Sequence, residues 1–364
     1  MKKIAALLTL ALLVIMSFSM VTFAEDTTIK APSISTVSRK GKGDVTIKWG
    51  KVSGVTGYQI QYSTNSDYSE ATTVKVKKAA TVSTTIAKDK VSTKANTWIR
   101  MRCYQTVDGV TTYSKWSGKV KLIVWKTSWK YAKNSEIHSD PGVKYYATKN
   151  KKGITVAVNA GHGTKGGASK KTLCHPDGSA KVTGGSTSAG SKYATAVSGG
   201  TTVGSKSEAS CNLAVAKKVK SKLLAEGYNV LMIRQDSDIQ LDNVARTVMA
   251  NAHADCHIAI HYDSTTSNKG AFYIGVPDGK YRKMSPVSSN YKKHEALGKE
   301  LVAGLKDSGV KIFSSGRMAI DLTQTSYSTI ASVDIEVGDR KSSTSDTQVD
   351  KVAKGIVKGI KKYF

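Results

Sequence analysis

Short runs of alternating hydrophobic and polar residues fill the chain between residues 32 and 124. Val45–Trp49, Gly57–Tyr62 and Thr97–Arg102 are examples. A period of two is typical of half-buried strands, and turn residues such as Asp108-Gly109 separate the runs. No helical spacing interrupts this part of the chain. The pattern predicts an antiparallel β-sandwich.

The pattern changes after about residue 152, where strands begin to alternate with helices. Between Glu208 and Glu226, for example, apolar residues recur at helical spacing, and Gly227 ends the run. The predicted order is strand 154–158, helix 208–226, strand 228–233, helix 241–252, strands 256–260 and 271–276, helix 295–305, strand 332–337 and a final helix with Val349, Val352, Ile356 and Ile360 on one face. This alternation predicts an α/β domain with a largely parallel or mixed sheet.

Two polar segments divide this pattern. Residues 126–151 are lysine-rich and without period, which indicates a linker or an irregular docking segment between a sandwich at 30–125 and an α/β domain at 152–364. Residues 164–206, rich in Gly, Ser, Thr and Ala, join the first strand of the α/β domain to its first helix. This connection is far longer than the usual two to six residues. It is either a substrate-groove loop or lid, or a disordered insertion.

The N-terminus has the features of a secretory signal peptide. Lys2 and Lys3 precede an apolar run from Ile4 to Met16, and small residues surround Ala24. No later stretch approaches the roughly 18 apolar residues of a membrane span. The sequence therefore predicts a signal peptide at residues 1–24 and a product that is secreted or associated with the cell wall.

Charge narrows the choice of partners. The chain has 55 Lys and Arg against 27 Asp and Glu, a formal net charge of +28. Outside the cell, anionic wall polymers are the partners that best fit this charge. Nucleic acid is disfavoured because no recognition motif accompanies the lysines.

The four cysteines are too few and too scattered for a disulfide framework.

Candidate catalytic residues follow the predicted strands of the α/β domain. His162, His261 and Glu336 lie at or just beyond strand ends, and Glu208 begins a helix. Ligands gather beyond the carboxyl ends of strands in such sheets. Two imidazoles and one carboxylate form a catalytic zinc set with a fourth position for water, and a second carboxylate can act as base.

Each candidate also has a purely structural interpretation. Ser205-x-x-Glu208 satisfies a capping box. His162 could be an exposed loop residue. His257 lies four residues before His261, so spacing alone does not decide which of these two histidines faces a site. Glu336 could face solvent on an edge strand, although burying it without a partner would be costly.

The first domain resembles a fibronectin type III domain. The resemblance rests on Trp49, Gly57–Tyr62, Trp98–Tyr104 and Tyr113–Ser117 in this order. The domain is either a spacer or adhesion module or a sugar-binding module, since its aromatic residues are candidates for both core and surface: Tyr58, Tyr62, Tyr104, Tyr113 and Trp116.

The second domain resembles the zinc-dependent N-acetylmuramoyl-L-alanine amidases, the type 3 amidase catalytic domain. The matching segments are 154–163 with Gly161-His162-Gly163, 208–213, 246–261 and 333–338, and Asp321-Leu322 is a further match. The resemblance implies that His162, Glu208 and His261 bind Zn²⁺ and that Glu336 is catalytic. It also implies peptidoglycan as the substrate.

The sequence departs from this family at several positions. As many as 45 residues separate His162 from Glu208, and Asp263 and Asp339 replace the residues that the family often has.

Cys174-His175 within the long segment is either a second metal or regulatory site or, as we expect, a solvated pair. A zinc peptidase of the stem peptide and a non-catalytic wall-binding protein remain the alternative functions.

Overall fold

The computed structural model describes residues 29–39, 43–139, 143–148 and 152–364. The predicted signal peptide at residues 1–24 lies outside this part of the chain. No helix within the described ranges is long and apolar enough to cross a membrane.

Two antiparallel sheets form the N-terminal region. One sheet has the order β1-β2-β5 and the other β4-β3-β6-β8, with β7 paired to β6. The strands are β1 Ile34–Arg39, β2 Val45–Trp49, β3 Gly57–Ser63, β4 Thr72–Val76, β5 Ser83–Ile86, β6 Thr97–Val107, β7 Val110–Tyr113 and β8 Val120–Leu122. The prediction of a sheet-rich N-terminal region is confirmed.

Alternate residues of these strands form the core between the two sheets. Ile47 faces Ile60, Ile99 and Met101 as part of one buried cluster. The rings of Trp49 and Tyr58 pack edge to face with centroids 5.2 Å apart. The apolar half of the alternating pattern thus supplies the interior, as the period of two requires.

The sandwich and the α/β domain share one continuous sheet. Strand β9, Lys144–Tyr146, lies inside the predicted linker range and pairs antiparallel with β8 on one side. On its other side β9 pairs antiparallel with β15, Asn229–Met232, of the α/β domain. A twelve-stranded sheet therefore runs through the molecule.

The α/β domain supplies six strands of that sheet, in the order β18-β17-β19-β16-β10-β15. Its other elements are β10 Thr155–Ala160, β11 Lys171–Leu173, β12 Tyr193–Thr195, β13 Thr202–Val203, β14 Lys206–Ser207, α1 Glu208–Ala225, α2 Asn243–His253, β16 Cys256–Asp263, β17 Ala271–Gly275, α3 Lys280–Lys283, α4 Val287–Lys306, β18 Ile312–Ala319, α5 Thr323–Tyr327, β19 Ala331–Asp339 and α6 Asp346–Tyr363. β10 is parallel to β15 and β16, and β16 to β19, whereas β17 is antiparallel to β19. The predicted α/β fold is confirmed, and the sheet is mixed.

Helices cover both faces of this sheet. Val156 and Val158 of β10 belong to the cluster that includes α1, α4 and α6, whereas Ala157 belongs to the cluster with α2. Helices α4 and α6 approach closely at Gly304, where a Cβ atom would lie 2.4 Å from the backbone nitrogen of Gly359. The strands are buried on both sides, which explains their continuous apolar runs.

Sequence patterns missed two strands of the twelve-stranded sheet, β9 and β18. β9 has only three residues, and β18 has Ser314 at φ +48° and Gly316 at φ +79°, which interrupt its alternation. β18 lies at the edge of the sheet and is only partly buried. Pairing to neighbours distant in sequence decides both strands, and local propensity does not reveal it.

Candidate metal centre and its carboxylate neighbour

Three parallel strands and one helix start meet at the same edge of the sheet. β10, β16 and β19 are neighbours, so their carboxyl ends lie together. His162 follows β10, His261 lies near the end of β16, and Glu208 is the first residue of α1. The elements around the candidates therefore have the arrangement predicted for a site.

Glycine makes the turn that presents His162. His162 itself has φ +62°, and Gly163 after it has φ +73°. A Cβ atom on Gly161 would lie 2.1 Å from Cε1 of His261, so only glycine leaves room for that ring. The Gly-His-Gly turn thus allows two imidazoles to approach the same backbone segment.

His162, Glu208 and His261 converge on a single point. Oε1 of Glu208 lies 2.9 Å from Nε2 of His162 and 3.0 Å from Nδ1 of His261. The two imidazole nitrogens are 3.1 Å apart. One donor atom from each residue lies within 4.8 Å of the others, which makes the trio a candidate metal-binding group.

Hydrogen bonds from outside the trio hold His162 and Glu208 in place. Nδ1 of His162 lies 2.9 Å from the carbonyl oxygen of Ser198, which can only accept, so the lone pair of His162 is on Nε2, toward the centre. Oε1 of Glu208 accepts from the backbone N–H of Tyr262, and Oε2 accepts from that of Thr201. Two imidazoles and one carboxylate, with His162 and Glu208 held in place by these hydrogen bonds, fit zinc, which takes such ligands in catalytic sites.

The charges of the site favour a cation. Burial would raise the pKa of the Glu208 carboxyl, but hydrogen bonds with His162 and His261 outweigh it and hold that pKa well below its ordinary value. Burial disfavours the imidazolium form of His261, yet the carboxylates of Asp334 and Glu208 raise the pKa of His261 to about 9. The carboxylates around the imidazoles therefore stabilise positive charge at this position.

Glu336 lies next to this trio on the adjacent strand. In the register of β16 and β19 it is opposite His261. Its Oε2 atom is buried and has no hydrogen-bond partner within the described ranges. Burial, and then the charge of Asp334, raise the pKa of Glu336 well above its ordinary value. A carboxyl with these properties can accept a proton near neutral pH.

The sequence of the α/β domain matches a known family profile. Residues 156–362, more than half of the chain, match the profile of N-acetylmuramoyl-L-alanine amidase. The chain belongs to this family. No curated protein matches the chain.

Several solved structures of amidases resemble this family member. Ami1 from Mycobacterium smegmatis is 19% identical with a TM-score of 0.46, and the match covers 59% of this chain and 98% of that one. AmiC2 of Nostoc punctiforme is 17% identical with a TM-score of 0.41, covering 58% and 98%. An N-acetylmuramoyl-L-alanine amidase from Clostridium difficile 630 is 18% identical with a TM-score of 0.40, covering 59% and 97%.

Two buried arginines hold the histidine turn of this amidase-family domain. Arg234 donates to the carbonyl oxygens of Ala160 and Gly161 at 3.0 and 2.9 Å. Arg246 donates to the carbonyl oxygen of His162 at 2.7 Å. Burial lowers the pKa of Arg234 to about 10 and that of Arg246 to about 9. Sequence reasoning missed Arg234, although its position directly after a predicted strand was a signal.

The long segment at residues 164–206 supports the site directly. It is ordered around two short antiparallel pairs, β11 with β12 and β13 with β14, and is therefore no disordered insertion. It supplies the Ser198 carbonyl to His162 and the Thr201 N–H to Glu208. A Cβ atom on Gly200 would lie 2.7 Å from Cδ2 of His162. This segment thus forms part of the wall around the trio.

A buried ionic cluster fastens the same segment to the domain. Nε2 of His175 lies 3.0 Å from Oδ2 of Asp321, and Nζ of Lys181 lies 2.8 Å from Oδ1. The expectation that Cys174-His175 is solvated is wrong, because both side chains are buried. Asp321, the acidic residue of the Asp321-Leu322 pair, anchors the segment through its ion pairs with His175 and Lys181. Outside the trio, the described ranges contain no second group of three metal-ligating residues.

Two further structural interpretations are resolved. The N-cap of α1 is Ser207, whose Oγ accepts from the N–H of Ser210, so the predicted Ser205 capping box is wrong. His257 is buried at the other end of β16, where its Nδ1 lies 3.3 Å from Oγ of Ser332. His257 therefore lies apart from the trio.

All four cysteines are buried and unpaired.

Proposed function

We propose that the chain is an exported peptidoglycan hydrolase that cleaves the amide bond between N-acetylmuramic acid and the L-alanine of the stem peptide. The convergence of His162, Glu208 and His261 beside Glu336 carries this proposal. Membership of the amidase family supports the choice of the amide bond. The lysine-led apolar run at residues 1–24 supports export.

In this proposal His162, Glu208 and His261 hold one Zn²⁺ ion. Zinc in such a site supplies a Lewis acid that polarises the scissile carbonyl and lowers the pKa of water to about 7. Ser198 and Thr201 fix the orientation of the first histidine and the glutamate. The protein's share of the chemistry is therefore a rigid set of donors and a neighbouring base.

Glu336 moves the proton in the proposed reaction. Its carboxylate takes one proton from the attacking water, whose oxygen forms the new bond to the lactyl carbonyl carbon. The C–N bond then breaks, and Glu336 returns the proton to the alanine nitrogen. Atoms and charge balance as one water consumed, one carboxylate formed on the lactyl group and one ammonium group on the peptide, which receives both protons of the water.

We also propose that the N-terminal region is a fibronectin type III-like module. Its two antiparallel sheets, β1-β2-β5 and β4-β3-β6-β8, share one apolar core and support the assignment. The proposed organisation is a signal peptide at 1–24, the module at 30–125, a connecting segment at 126–151 and the amidase domain at 152–364.

Analysis of the reaction products tests the proposed function. The mature chain is incubated with purified peptidoglycan, with chelator, and with chelator followed by zinc. We expect stem peptides with free N-terminal alanine, lost with chelator and restored by zinc. New ends inside the stem peptide would contradict the amidase and assign a peptidase. No new ends from zinc-loaded protein would contradict hydrolysis altogether.

A further inference from the structure

One face of the β-sandwich presents arginines and aromatic rings in alternation. Along β6, Ile99 and Met101 point into the core, so the residues of opposite parity point outward. These residues are Trp98, Arg100 and Arg102, which are half-buried, and Tyr104, which is buried beneath its neighbours. The face therefore combines cationic and aromatic side chains on a single strand.

Five side chains of this face form a continuous stack. The guanidinium carbon of Arg100 lies 4.0 Å from the ring centroid of Tyr68 and 4.3 Å from that of Trp116. The guanidinium carbon of Arg102 lies 4.4 Å from Trp116 and 3.8 Å from Tyr113. We call Tyr68, Arg100, Trp116, Arg102 and Tyr113 the cationic stack. Cation–π contacts of this length order both guanidinium groups.

Neutral residues rather than carboxylates orient these arginines. Oε1 of Gln61 accepts from Nε and Nη2 of Arg100 at 3.0 and 2.8 Å. Oε1 of Gln59 accepts from Nε of Arg102 at 2.6 Å. An amide oxygen fixes the direction of a guanidinium without neutralising its charge. Both positive charges therefore remain available to a partner.

Lysines extend the positive charge across neighbouring strands. Lys75 lies over the ring of Tyr104, Lys119 over that of Tyr68, and Lys121 over those of Trp98 and Tyr145. In the described part of the chain, no carboxylate forms an ion pair with any of these five cations. From β4 to β9 the charged face spans four strand intervals, roughly 19 Å.

These features select a polyanion over a sugar. The rings of the stack are in contact with guanidinium groups, so their faces are not free to stack on a pyranose ring. The guanidinium groups retain N–H donors beyond those bound to Gln59 and Gln61, and such donors suit phosphate oxygens. The five cations of this wide area form no ion pair in the described part of the chain, although the charge of Asp67 acts on that of Lys119. Such an area fits a chain of repeating charges better than a single anion.

We propose that the cationic stack and its flanking lysines bind a linear phosphodiester polymer of the cell wall. The inference rests on the cell-wall location given under the proposed function, and it is independent of hydrolysis. Because the sandwich and the amidase domain share one sheet, the bound polymer would hold the catalytic site at a fixed orientation to the wall. The module is then a wall anchor and not a passive spacer.

Binding measurements on matched charge variants test this inference. The full mature chain carrying Glu336→Gln is mixed with purified poly(glycerol phosphate) and with cell walls before and after hydrofluoric acid removes their phosphodiester polymers. We expect Arg100→Gln/Arg102→Gln to weaken binding at low salt by about tenfold or more, because two charges and their fixed geometry are lost. Binding should fall with added salt and with the stripped walls.

Lys48→Gln/Lys51→Gln is the matched control, since it removes two exposed charges from the same domain but away from the stack. We expect this control to change binding by less than about twofold. Lys75→Gln/Lys119→Gln leaves the arginines in place and should weaken binding too, which guards against unfolding of the arginine variant.

Three results would overturn the inference. The first is unchanged binding by both Arg100→Gln/Arg102→Gln and Lys75→Gln/Lys119→Gln. The second is equal binding to intact and stripped walls, and the third is tighter binding to duplex DNA than to poly(glycerol phosphate). Hydrolysis of soluble glycan-peptide fragments, measured with Glu336 intact, separates this inference from the proposed function. Binding without hydrolysis would refute the function alone, and hydrolysis without polymer binding would refute the anchor alone.

Discussion

At the scale of single residues, close backbone approach determines the geometry of the candidate centre. Gly200 has φ +79°, and a Cβ atom there would lie 2.7 Å from Cδ2 of His162 and 2.8 Å from Oε2 of Glu208. Adjacent Gly199 has nothing within 4 Å of such an atom. Two neighbouring glycines therefore differ sharply in what they permit.

This difference gives a matched prediction. We expect Gly200→Ala to displace His162 and Glu208 and to weaken zinc binding by about tenfold or more, because displaced orienting contacts commonly cost that much. Gly199→Ala should leave zinc affinity unchanged. Competition with a chromophoric chelator measures both. Equal affinities in the two variants would show that Gly200 does not constrain the trio.

Residue patterns predicted the trio because histidines and carboxylates at strand ends are visible in a sequence. The residues that orient them were not visible. Ser198 and Arg234 reach the histidine turn from 36 and 73 residues away. Thr201 lies only seven residues before Glu208 but acts through its backbone N–H, which no residue type reveals. Capping of α1 by Ser207 instead of Ser205 is a two-residue shift, and local rules do not place helix starts more finely than that.

At the scale of elements, the long segment at 164–206 depends on its buried ionic anchor. Burial would raise the pKa of Asp321, but hydrogen bonds from His175 and Lys181 outweigh it and hold that pKa below its ordinary value. Gly, Ser and Thr in this segment suggested flexibility in the sequence. Ion pairing with a residue more than a hundred positions away orders it instead.

Removing one partner of this anchor should be costly. We expect Lys181→Met to lower the free energy of unfolding by about 3 kcal/mol, since it leaves Asp321 as an undercompensated buried charge. Lys192→Met, an exposed lysine of the same segment, is the control and should have little effect. Chemical denaturation measures both, and limited proteolysis should nick the segment only in Lys181→Met. Equal stability of the two variants would contradict the anchor.

At the scale of the whole molecule, one sheet joins two regions that sequence patterns separate. The alternation of residues predicted both the sandwich and the α/β domain, because each period reflects a local burial pattern. Pairing of β9 with β8 and β15 is a long-range event in a polar segment, so no local period reveals it.

Buried histidines should make the stability of the whole molecule sensitive to acid. Burial lowers the pKa of His253 and His294 to about 4 and that of His257 to about 3. Because unfolded histidine titrates near 6.5, the unfolded chain binds more protons below that pH. Between about pH 6.5 and 4, stability should therefore fall by up to about 1.4 kcal/mol per pH unit for each histidine.

Urea denaturation of the chelator-treated protein across this pH range measures the effect. His294→Gln should flatten the slope, since one of the three groups no longer titrates. The same slope in His294→Gln and in the unaltered protein would show that His294 is not held neutral in the folded state.

Metal content and hydrolysis, measured in one set of samples, test together whether the trio binds zinc and whether Glu336 acts as the base. We expect about one zinc per chain in the unaltered protein and in Glu336→Gln, and little in His162→Ala. Peptidoglycan hydrolysis should occur in the unaltered protein and fall by about a hundredfold or more in Glu336→Gln, because a general base contributes at least that much. Zinc retained in His162→Ala would contradict the metal site, and full hydrolysis by Glu336→Gln would contradict the role of Glu336 as the base.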